Sequence, residues 1–331
     1  MAILITGGAG FIGAATAERL IRRGDEVVLV DNLNSYYPVA VKQARLEHLR
    51  KIAPDLQFIE IDFSDYAGLT DALRNVAIDR IVHLGAQAGV RYSIENPFAY
   101  AASNLTGHLA LLELARAREV GHMVYASSSS VYGNSAKVPF SVEDRSDHPI
   151  SLYAATKRSD ELMSETYAHL YRIPLTGLRF FTVYGPWGRP DMMVWKCTDR
   201  VLKGEPVPVF NQGEMFRDFT YIDDIVSGIL ATLDAPPRDD GANKAGGSIS
   251  PHALYNIGNN KPEHLMRLIE RIEQACGKKA IIDFQPMQPG DVERTYADID
   301  AIARDVGYSP TTPIEVGVPA FVDWYRGFTG L

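Results

Sequence analysis

The chain has 331 residues, of which 46% are hydrophobic and 22% charged, and its formal net charge is −8. A chain of this length is long enough for two lobes that share a continuous core. The acidic balance excludes a global positive field of the kind that holds nucleic acid or anionic lipid. An anionic small molecule would therefore need a local cluster of arginines and backbone N–H groups.

Cysteine and histidine usage bears on redox environment and metals. The two cysteines, Cys197 and Cys276, lie far apart without the spacing of metal ligands, which is typical of buried thiols in a reducing compartment. The eight histidines are scattered without paired spacing, so we expect no metal site. The chain lacks the pattern of a signal peptide and contains no run of about 18 apolar residues. We therefore expect a cytoplasmic protein.

Apolar runs alternate with helix-period stretches through the first half of the chain. The predicted strands are Ile3–Thr6, Val27–Asp31, Gln57–Asp62, Arg80–Leu84 and His122–Ser127. The predicted helices are Phe11–Arg23, Val39–Ile52, Tyr66–Asn75 and Ala99–Arg118. This alternation indicates a parallel sheet covered by helices on both faces, and right-handed crossovers make it doubly wound.

The regularity fades after one further helix, predicted at Ser151–Tyr171, and one further strand, predicted at Leu175–Arg179. Prolines then become frequent, and the Gly-, Pro- and Ser-rich run Ala235–Pro251 predicts a surface loop. Tyr255–Gly258 is typical of a strand that returns to the sheet, and Glu263–Cys276 of a helix. This pattern predicts a smaller C-terminal lobe that holds substrate over the sheet edge.

A glycine-rich turn joins the first predicted strand to the first helix. Gly7 permits the tight turn, Gly10 lets the backbone approach a pyrophosphate, and Gly13 lets helix and strand pack closely. Asp31 closes the second strand, 21 residues after Gly10, where a carboxylate accepts both ribose hydroxyls of an adenosine and repels a 2′-phosphate. We therefore expect NAD rather than NADP. Asp62 is placed either to meet the adenine or to form a strand-end turn.

These features predict an α/β fold with a Rossmann-type, doubly wound parallel sheet. The dinucleotide-binding domain is expected over residues 1–180, together with the return strand near 255–258. The smaller lobe, over residues 181–331, is expected to be interleaved with it and to bind the substrate.

Tyr153 and Lys157 stand four residues apart on a predicted helix, so both project from one face. A tyrosine with its ordinary pKa of about 10 is a poor base at neutral pH, but a neighbouring ammonium favours the phenolate. The preceding strand ends in four serines, of which Ser128 is placed to hydrogen-bond a reacting hydroxyl. This trio is suited to interconverting an alcohol and a carbonyl beside a hydride acceptor.

Several motifs together resemble the extended short-chain dehydrogenase/reductase family, over roughly residues 1–326: TGGAGFIG, SSSSVYG, YAATK, RFFTVYG and RDFTYIDD. The stretches AGVRYSIENP, LYAATKRSDE and FFTVYGPWGRPDM resemble the UDP-glucuronate 4-epimerases within that family. The resemblance implies bound NAD and a UDP-sugar substrate, UDP-glucuronate or UDP-galacturonate, inverted at C4. It also implies further cofactor contacts by Phe11, Ile12, Asn32, Asn34, Phe63, Leu84, Ala86 and Asn104.

Departures from neighbouring subgroups refine this assignment. Dehydratases and decarboxylases of the family resemble one another in an acidic residue directly before VYG, where this chain has Ser130. UDP-galactose 4-epimerases resemble one another in an Asn after the RFF-like strand, where this chain has Thr182, and in RxGD, where this chain has QPGD with Gln288. Both differences favour a uronate substrate.

The substrate contacts follow from the same resemblance. The sugar carboxylate is expected to meet donors among Arg91, Ser127, Ser128, Ser129, Thr182 and Arg189. Arg189 has the alternative of belonging to a structural turn. Arg217 resembles the family's diphosphate contact, Asp291 its uridine-ribose contact, and Phe210 is expected to line the substrate site.

Three other functions stay open at this point: a UDP-galactose or UDP-N-acetylhexosamine 4-epimerase, a UDP-glucuronate decarboxylase, and a non-enzymatic NAD-sensing protein on the same fold. The Tyr–Lys pair argues against the last. The resemblance also implies a homodimer, formed through the Ala99–Arg118 and Ser151–Tyr171 helices as a four-helix bundle.

Overall fold

A computed structural model of the chain describes residues 1–288 and 290–331; Pro289, within the QPGD stretch, lies outside the described residues. Across the described ranges the strands in chain order are β1 Ala2–Thr6, β2 Val27–Asp31, β3 Gln57–Glu60, β4 Ile78–His83, β5 His122–Ser128, β6 Leu175–Phe180, β7 Thr182–Tyr184, β8 Pro206–Phe210, β9 Phe216–Tyr221, β10 His252–Ile257, β11 Pro262–His264 and β12 Ile281–Gln285.

The helices cover the sheets and lead into the smaller lobe. They are α1 Phe11–Arg23, α2 Val39–Ile52, α3 Tyr66–Ala72, α4 Tyr92–Glu95, α5 Pro97–Tyr100, α6 Gly107–Ala117, α7 Leu152–Tyr171, α8 Met193–Lys203, α9 Ile222–Leu233, α10 Leu265–Cys276, α11 Asp300–Val306 and α12 Ile314–Thr329. None of these helices, within the described ranges, is long and apolar enough to cross a bilayer.

The central sheet is parallel throughout, with strands in the order β10-β6-β5-β4-β1-β2-β3. The chain therefore winds outward from β1 in one direction through β2 and β3, and in the other through β4, β5 and β6. This confirms the predicted doubly wound α/β fold. The carboxyl ends of these strands share one edge of the sheet, where the loops that carry the candidate site residues meet.

Several predicted helices differ in their bounds from those observed; the helix predicted at Tyr66–Asn75, for example, ends at Ala72. The segment predicted as one helix at Ala99–Arg118 contains a π-helical stretch, Ala101–Thr106, between α5 and α6. The helix predicted at Glu263–Cys276 begins at Leu265, because residues 262–264 pair antiparallel with β9 and the ring Nδ1 of His264 accepts the Met266 backbone N–H. The predicted loop Ala235–Pro251 is confirmed, and the return strand begins earlier than predicted, at His252.

The smaller lobe is built on two short sheets and three helices. One sheet has the order β11-β9-β7, and β12 pairs parallel with β8. Helices α8, α10 and α12 pack over them around a separate apolar core that includes Val201, Leu268, Phe321 and Val322. Strand β7 follows β6 after one residue, so the lobe starts directly at the carboxyl edge of the main sheet.

A buried ion pair fixes helix α7 on the sheet. Arg179, on β6, donates from Nε and Nη2 to the two carboxylate oxygens of Glu161 at 2.7 and 2.8 Å, and both side chains are buried. Burial acts to raise the pKa of Glu161, but Arg179, Ser127 and Arg158 outweigh it and hold that pKa below its ordinary value. The pair joins the helix that carries Tyr153 and Lys157 to the carboxyl end of β6.

Replacing Glu161 by Gln should destabilise the protein by about 3–5 kcal/mol, because it leaves the Arg179 charge buried without a counter-charge. The free energy of unfolding, measured by denaturant titration, tests this. The matched control is Asp71→Asn, which breaks the exposed ion pair with Arg74 and should cost about 1 kcal/mol or less. Equal losses in the two variants would contradict a structural role for the buried pair.

Candidate functional site

The glycine turn between β1 and α1 has the shape that a diphosphate requires. Gly7 has a φ of +67°, and a Cβ there would lie 2.7 Å from the backbone nitrogen of Gly85. A Cβ on Gly13 would lie 2.1 Å from the Gly7 carbonyl oxygen. Gly10 precedes α1 and has no side chain to cap it. The start of α1, at Phe11, Ile12 and Gly13, therefore faces an uncrowded turn where an anion is favoured by the helix dipole.

Asp31 lies at the carboxyl end of β2, beside this turn. Its carboxylate accepts the backbone N–H groups of Ala9 at 3.2 Å and Leu33 at 2.9 Å. Lys42, which sequence reasoning missed, lies 3.4 Å from the same carboxylate and 3.2 Å from the Asn34 side-chain oxygen, and it is buried. A lysine near the start of an amphipathic helix resembles surface charge, so the sequence held no signal for this contact.

The remaining predicted cofactor residues fall into two groups. Asn32 donates to Asp62 at 3.0 Å, and the half-buried Leu84 and Ala86 follow β4, so these side chains share the carboxyl edge. Phe63 is instead packed in the core: its ring lies edge-on to His83, with centroids 5.3 Å apart.

Asn104 is fully buried and bound within the protein. Its amide nitrogen donates to the Gln87 carbonyl at 3.1 Å and to the Thr156 hydroxyl at 3.0 Å, while its oxygen accepts the Gln87 N–H at 2.8 Å. These contacts join the 84–91 loop to α7. Asn104 thus orders the loop behind the site.

Lys157 is buried where α7 crosses the end of β5. Its ammonium donates to the carbonyl of Ala126 at 2.9 Å and to Asp160 at 3.1 Å. Burial raises the pKa of Asp160 to about 7, although Lys157 pulls it in the opposite direction. Asp160 was also missed by sequence reasoning, because an acid one turn after a lysine is typical of a solvent-exposed helical pair.

Tyr153 lies one helical turn before Lys157, is half-buried, and packs edge-on against Tyr100 with centroids 6.0 Å apart. Ser151 caps the start of this helix by accepting the Ala154 N–H at 3.1 Å. Ser128 ends β5, and its hydroxyl accepts the Ser130 N–H at 3.2 Å. The three residues predicted for proton transfer therefore lie at the meeting of one helix start and one strand end.

The serine run divides between two environments. The Ser127 hydroxyl is buried and donates to Glu161 at 2.6 Å, so it belongs to the ion pair under α7. Successive residues of a strand point to opposite faces, so Ser127 and Ser128, the last two residues of β5, point to opposite faces. Ser128 and Ser129 remain at the carboxyl edge, together with the half-buried Thr182 of β7.

Arg189, in the segment after β7, pairs with a neighbouring carboxylate. Its Nε and Nη2 donate to the two oxygens of Asp191 at 3.0 and 2.5 Å. The Tyr36 hydroxyl donates to the same carboxylate at 3.2 Å. Asp191 and Tyr36 were not identified from sequence.

The opposite end of the site joins both lobes. Arg91 donates to Asp291 at 2.9 Å and lies over the ring of Phe210, 4.5 Å from its centroid. Arg217 donates from Nη1 and Nη2 to the carbonyls of Phe216, Val292 and Glu293. Burial lowers the pKa of Arg217, and Asp291 acts in the opposite direction. Arginines and an aromatic ring are thus brought together where a nucleotide was expected.

Comparison with known proteins assigns the chain that carries these motifs to a family. The family described as GDP-mannose 4,6 dehydratase matches residues 4–321. A probable UDP-glucuronate 4-epimerase of Rhizobium meliloti is 45% identical over 98% of this chain and 97% of its own length.

Two solved structures match the whole fold. The UDP-glucuronic acid 4-epimerase of Bacillus cereus, in complex with UDP-glucuronic acid and NAD, is 32% identical with a TM-score of 0.87, covering 99% of this chain and 100% of that one. The UDP-glucose 4-epimerase of Thermotoga maritima, with UDP-glucose, is 29% identical with a TM-score of 0.87 and covers 99% of each chain. From its fold, its motifs and a match over nearly its full length, the chain belongs to the GDP-mannose 4,6-dehydratase family of extended short-chain dehydrogenases/reductases.

Proposed function

We propose that the protein is an NAD-dependent 4-epimerase that interconverts UDP-glucuronate and UDP-galacturonate through a transient 4-keto sugar. The observation that carries this proposal is that α7 places Tyr153 one turn before the buried Lys157, whose ammonium donates to the Ala126 carbonyl near the end of β5. The relatives named UDP-glucuronate 4-epimerase support the choice of sugar.

The residues present fit NAD. The uncapped start of α1 suits its diphosphate, because the glycines place no side chain there, and Asp31 suits the ribose hydroxyls of its adenosine half. When bound, NAD supplies the hydride acceptor and donor for C4 of the sugar.

Side chains of the protein carry out the proton transfer. Tyr153, one helical turn before the buried Lys157, takes the proton of the C4 hydroxyl, and Ser128 hydrogen-bonds the same oxygen. After the keto sugar has turned within the pocket, Tyr153 returns the proton to the opposite epimer. The positions before VYG are Ser129 and Ser130, so this part of the chain supplies no acid for elimination or decarboxylation.

The carboxylate contacts have a second task beyond affinity. A 4-keto uronic acid is a β-keto acid, which loses carbon dioxide when its carboxylate bond aligns with the carbonyl π-system. Ser128, Ser129, Thr182 and Arg189 are the donors expected for the carboxylate, and fixed hydrogen bonds from them would hold that bond out of alignment.

A UDP-galactose or UDP-N-acetylhexosamine 4-epimerase is the second candidate, because the Thermotoga maritima UDP-glucose enzyme matches the fold with the same TM-score as the uronate enzyme. Fold similarity does not separate the two substrates.

The division of the chain into residues 1–180 and 181–331 is likewise part of the proposal, supported by the separate apolar core of the smaller lobe.

We also propose a homodimer. Apolar side chains are exposed on both of the helices predicted to form it: Leu109 on α6 is 41% exposed, and Leu162 and Leu170 on α7 are 54% and 60% exposed. Pairing of these helices with their copies would bury the exposed apolar side chains in a four-helix bundle.

A cytoplasmic location is also part of the proposal, supported by two cysteines that are both buried free thiols.

Incubation of the purified protein with UDP-glucuronate should yield UDP-galacturonate, whereas UDP-glucose and UDP-N-acetylglucosamine should be converted far more slowly. Separation of the products by anion-exchange chromatography measures this.

Tyr153→Phe should slow the reaction by about 10²–10⁴-fold, because it removes the base and keeps the ring. The control is Tyr66→Phe, which removes the hydroxyl of an exposed tyrosine. Equal conversion of glucuronate and glucose would favour the second candidate.

Leu162→Asp should shift the protein from dimer to monomer, because it places a charge inside the apolar helix face. Sedimentation velocity measures the change. Ile249→Asp, in the loop between α9 and β10, alters an equally exposed apolar residue and should leave the mass unchanged. A monomeric wild-type protein, or a dimeric Leu162→Asp variant, would contradict the bundle.

A further inference from the structure

The segment Gly185–Asp191 carries an ion pair that the proposed reaction does not by itself require. Arg189 presents its Nε–Nη2 edge to both oxygens of Asp191, at 3.0 and 2.5 Å. The Tyr36 hydroxyl fixes the carboxylate from the other side at 3.2 Å. Burial acts to raise the pKa of Asp191, but Arg189 holds it below its ordinary value, so the pair is ionised.

The backbone of the same segment is held by a buried arginine. Arg45 is 1% exposed and donates to the carbonyls of Trp187, at 3.1 and 2.7 Å, and Gly188, at 3.0 Å. It also donates to the Ala9 carbonyl, in the glycine turn, at 3.1 Å. Backbone and side chain of the arginine-bearing segment are therefore both fixed against the cofactor half of the protein.

A row of aromatic rings connects this ion pair to the base. Tyr153 packs on Tyr100 at 6.0 Å between centroids, Tyr100 on Tyr92 at 6.2 Å, and Tyr92 on Tyr36 at 5.0 Å. Tyr36 then contacts Asp191. The Arg189 charge also acts on Tyr100, where it lowers the pKa against the stronger raising effect of burial. Packed aromatic rings thus connect the ion pair to Tyr153.

We propose that Asp191 is a positioning residue, which holds Arg189 so that a free edge of the guanidinium meets the substrate carboxylate in one orientation. This inference rests on the proposed function. A guanidinium has several N–H donors in a rigid fork, so with Nε and one Nη2 donor engaged, Nη1 and the second Nη2 hydrogen can bind another carboxylate. Asp191 fixes the direction of those donors and, as a like charge, weakens the binding of the sugar.

The weaker binding of the sugar is offset by a fixed orientation of its carboxylate, which protects the 4-keto intermediate from decarboxylation. Decarboxylation of the 4-keto uronate breaks the C5–C6 bond, releases carbon dioxide, and sends the electron pair into the C4 carbonyl to give an enolate. One proton then completes a 4-keto pentose, so the step needs no co-reactant other than a proton. A guanidinium that turned freely would stay bound to the carboxylate while the C5–C6 bond rotated into alignment with the C4 carbonyl π-system. A guanidinium held by Asp191 opposes that rotation.

The test is Asp191→Asn, which removes the charge and keeps the size. The KM for UDP-glucuronate should fall about three- to tenfold, because the repulsion between the two carboxylates is lost. The fraction of turnovers that end as UDP-4-keto-pentose should rise several-fold, because Arg189 is no longer clamped. Mass spectrometry of the products, with chromatographic quantification, measures both. Tyr36→Phe, which loosens Asp191 without removing it, should raise the keto-pentose fraction by a smaller factor.

The matched control is Asp239→Asn, which breaks an exposed ion pair with Arg172 and should leave KM and product ratio unchanged. A merely structural role for Asp191 would lower kcat or raise KM without altering the product ratio. Any Asp191→Asn result that lacks either the lower KM or the higher keto-pentose fraction overturns the inference. A wild-type enzyme that does not epimerise UDP-glucuronate instead overturns the proposed function.

Discussion

The hydrogen bond from the Lys157 ammonium to the Ala126 carbonyl is 2.9 Å long and joins helix α7 to the C-terminal end of strand β5. A buried ammonium must find acceptors, and the carbonyl and Asp160 are the groups it meets. This requirement fixes how far α7 slides along the sheet. Tyr153, one turn earlier, is thereby placed over the strand ends where the cofactor and sugar are proposed to meet.

Buried charges organise the rest of the site in the same way. Arg179 and Glu161 hold the underside of α7, Arg45 joins the glycine turn to the segment after β7, and Lys42 lies against Asp31. Each of these charges contacts a neighbour from a different element, so the loops at the sheet edge are linked before any ligand binds. A reaction that oxidises and reduces one carbon without releasing the intermediate depends on such a fixed pocket.

The features that the sequence predicted well are those set by local chemistry. The glycine turn follows from a strand, three small residues and a helix start, and the parallel sheet from alternating apolar runs. Tertiary packing determined the rest. Asp160 and Lys42 resemble surface charges until the sheet buries them, and Asn104 binds a loop that the sequence does not place beside it. The contact of Ser127 with Glu161 depends on which face of β5 helix α7 covers, and strand alternation alone does not determine this.

The central claim is that hydrogen leaves C4 and returns to C4 within one closed pocket. The direct measurement uses UDP-glucuronate that carries deuterium at C4, converted in ordinary water and followed by NMR and mass spectrometry of the product. The account predicts UDP-galacturonate with the deuterium retained at C4 and no solvent hydrogen incorporated on carbon. Loss of the label from C4, or solvent hydrogen at C5, would contradict it.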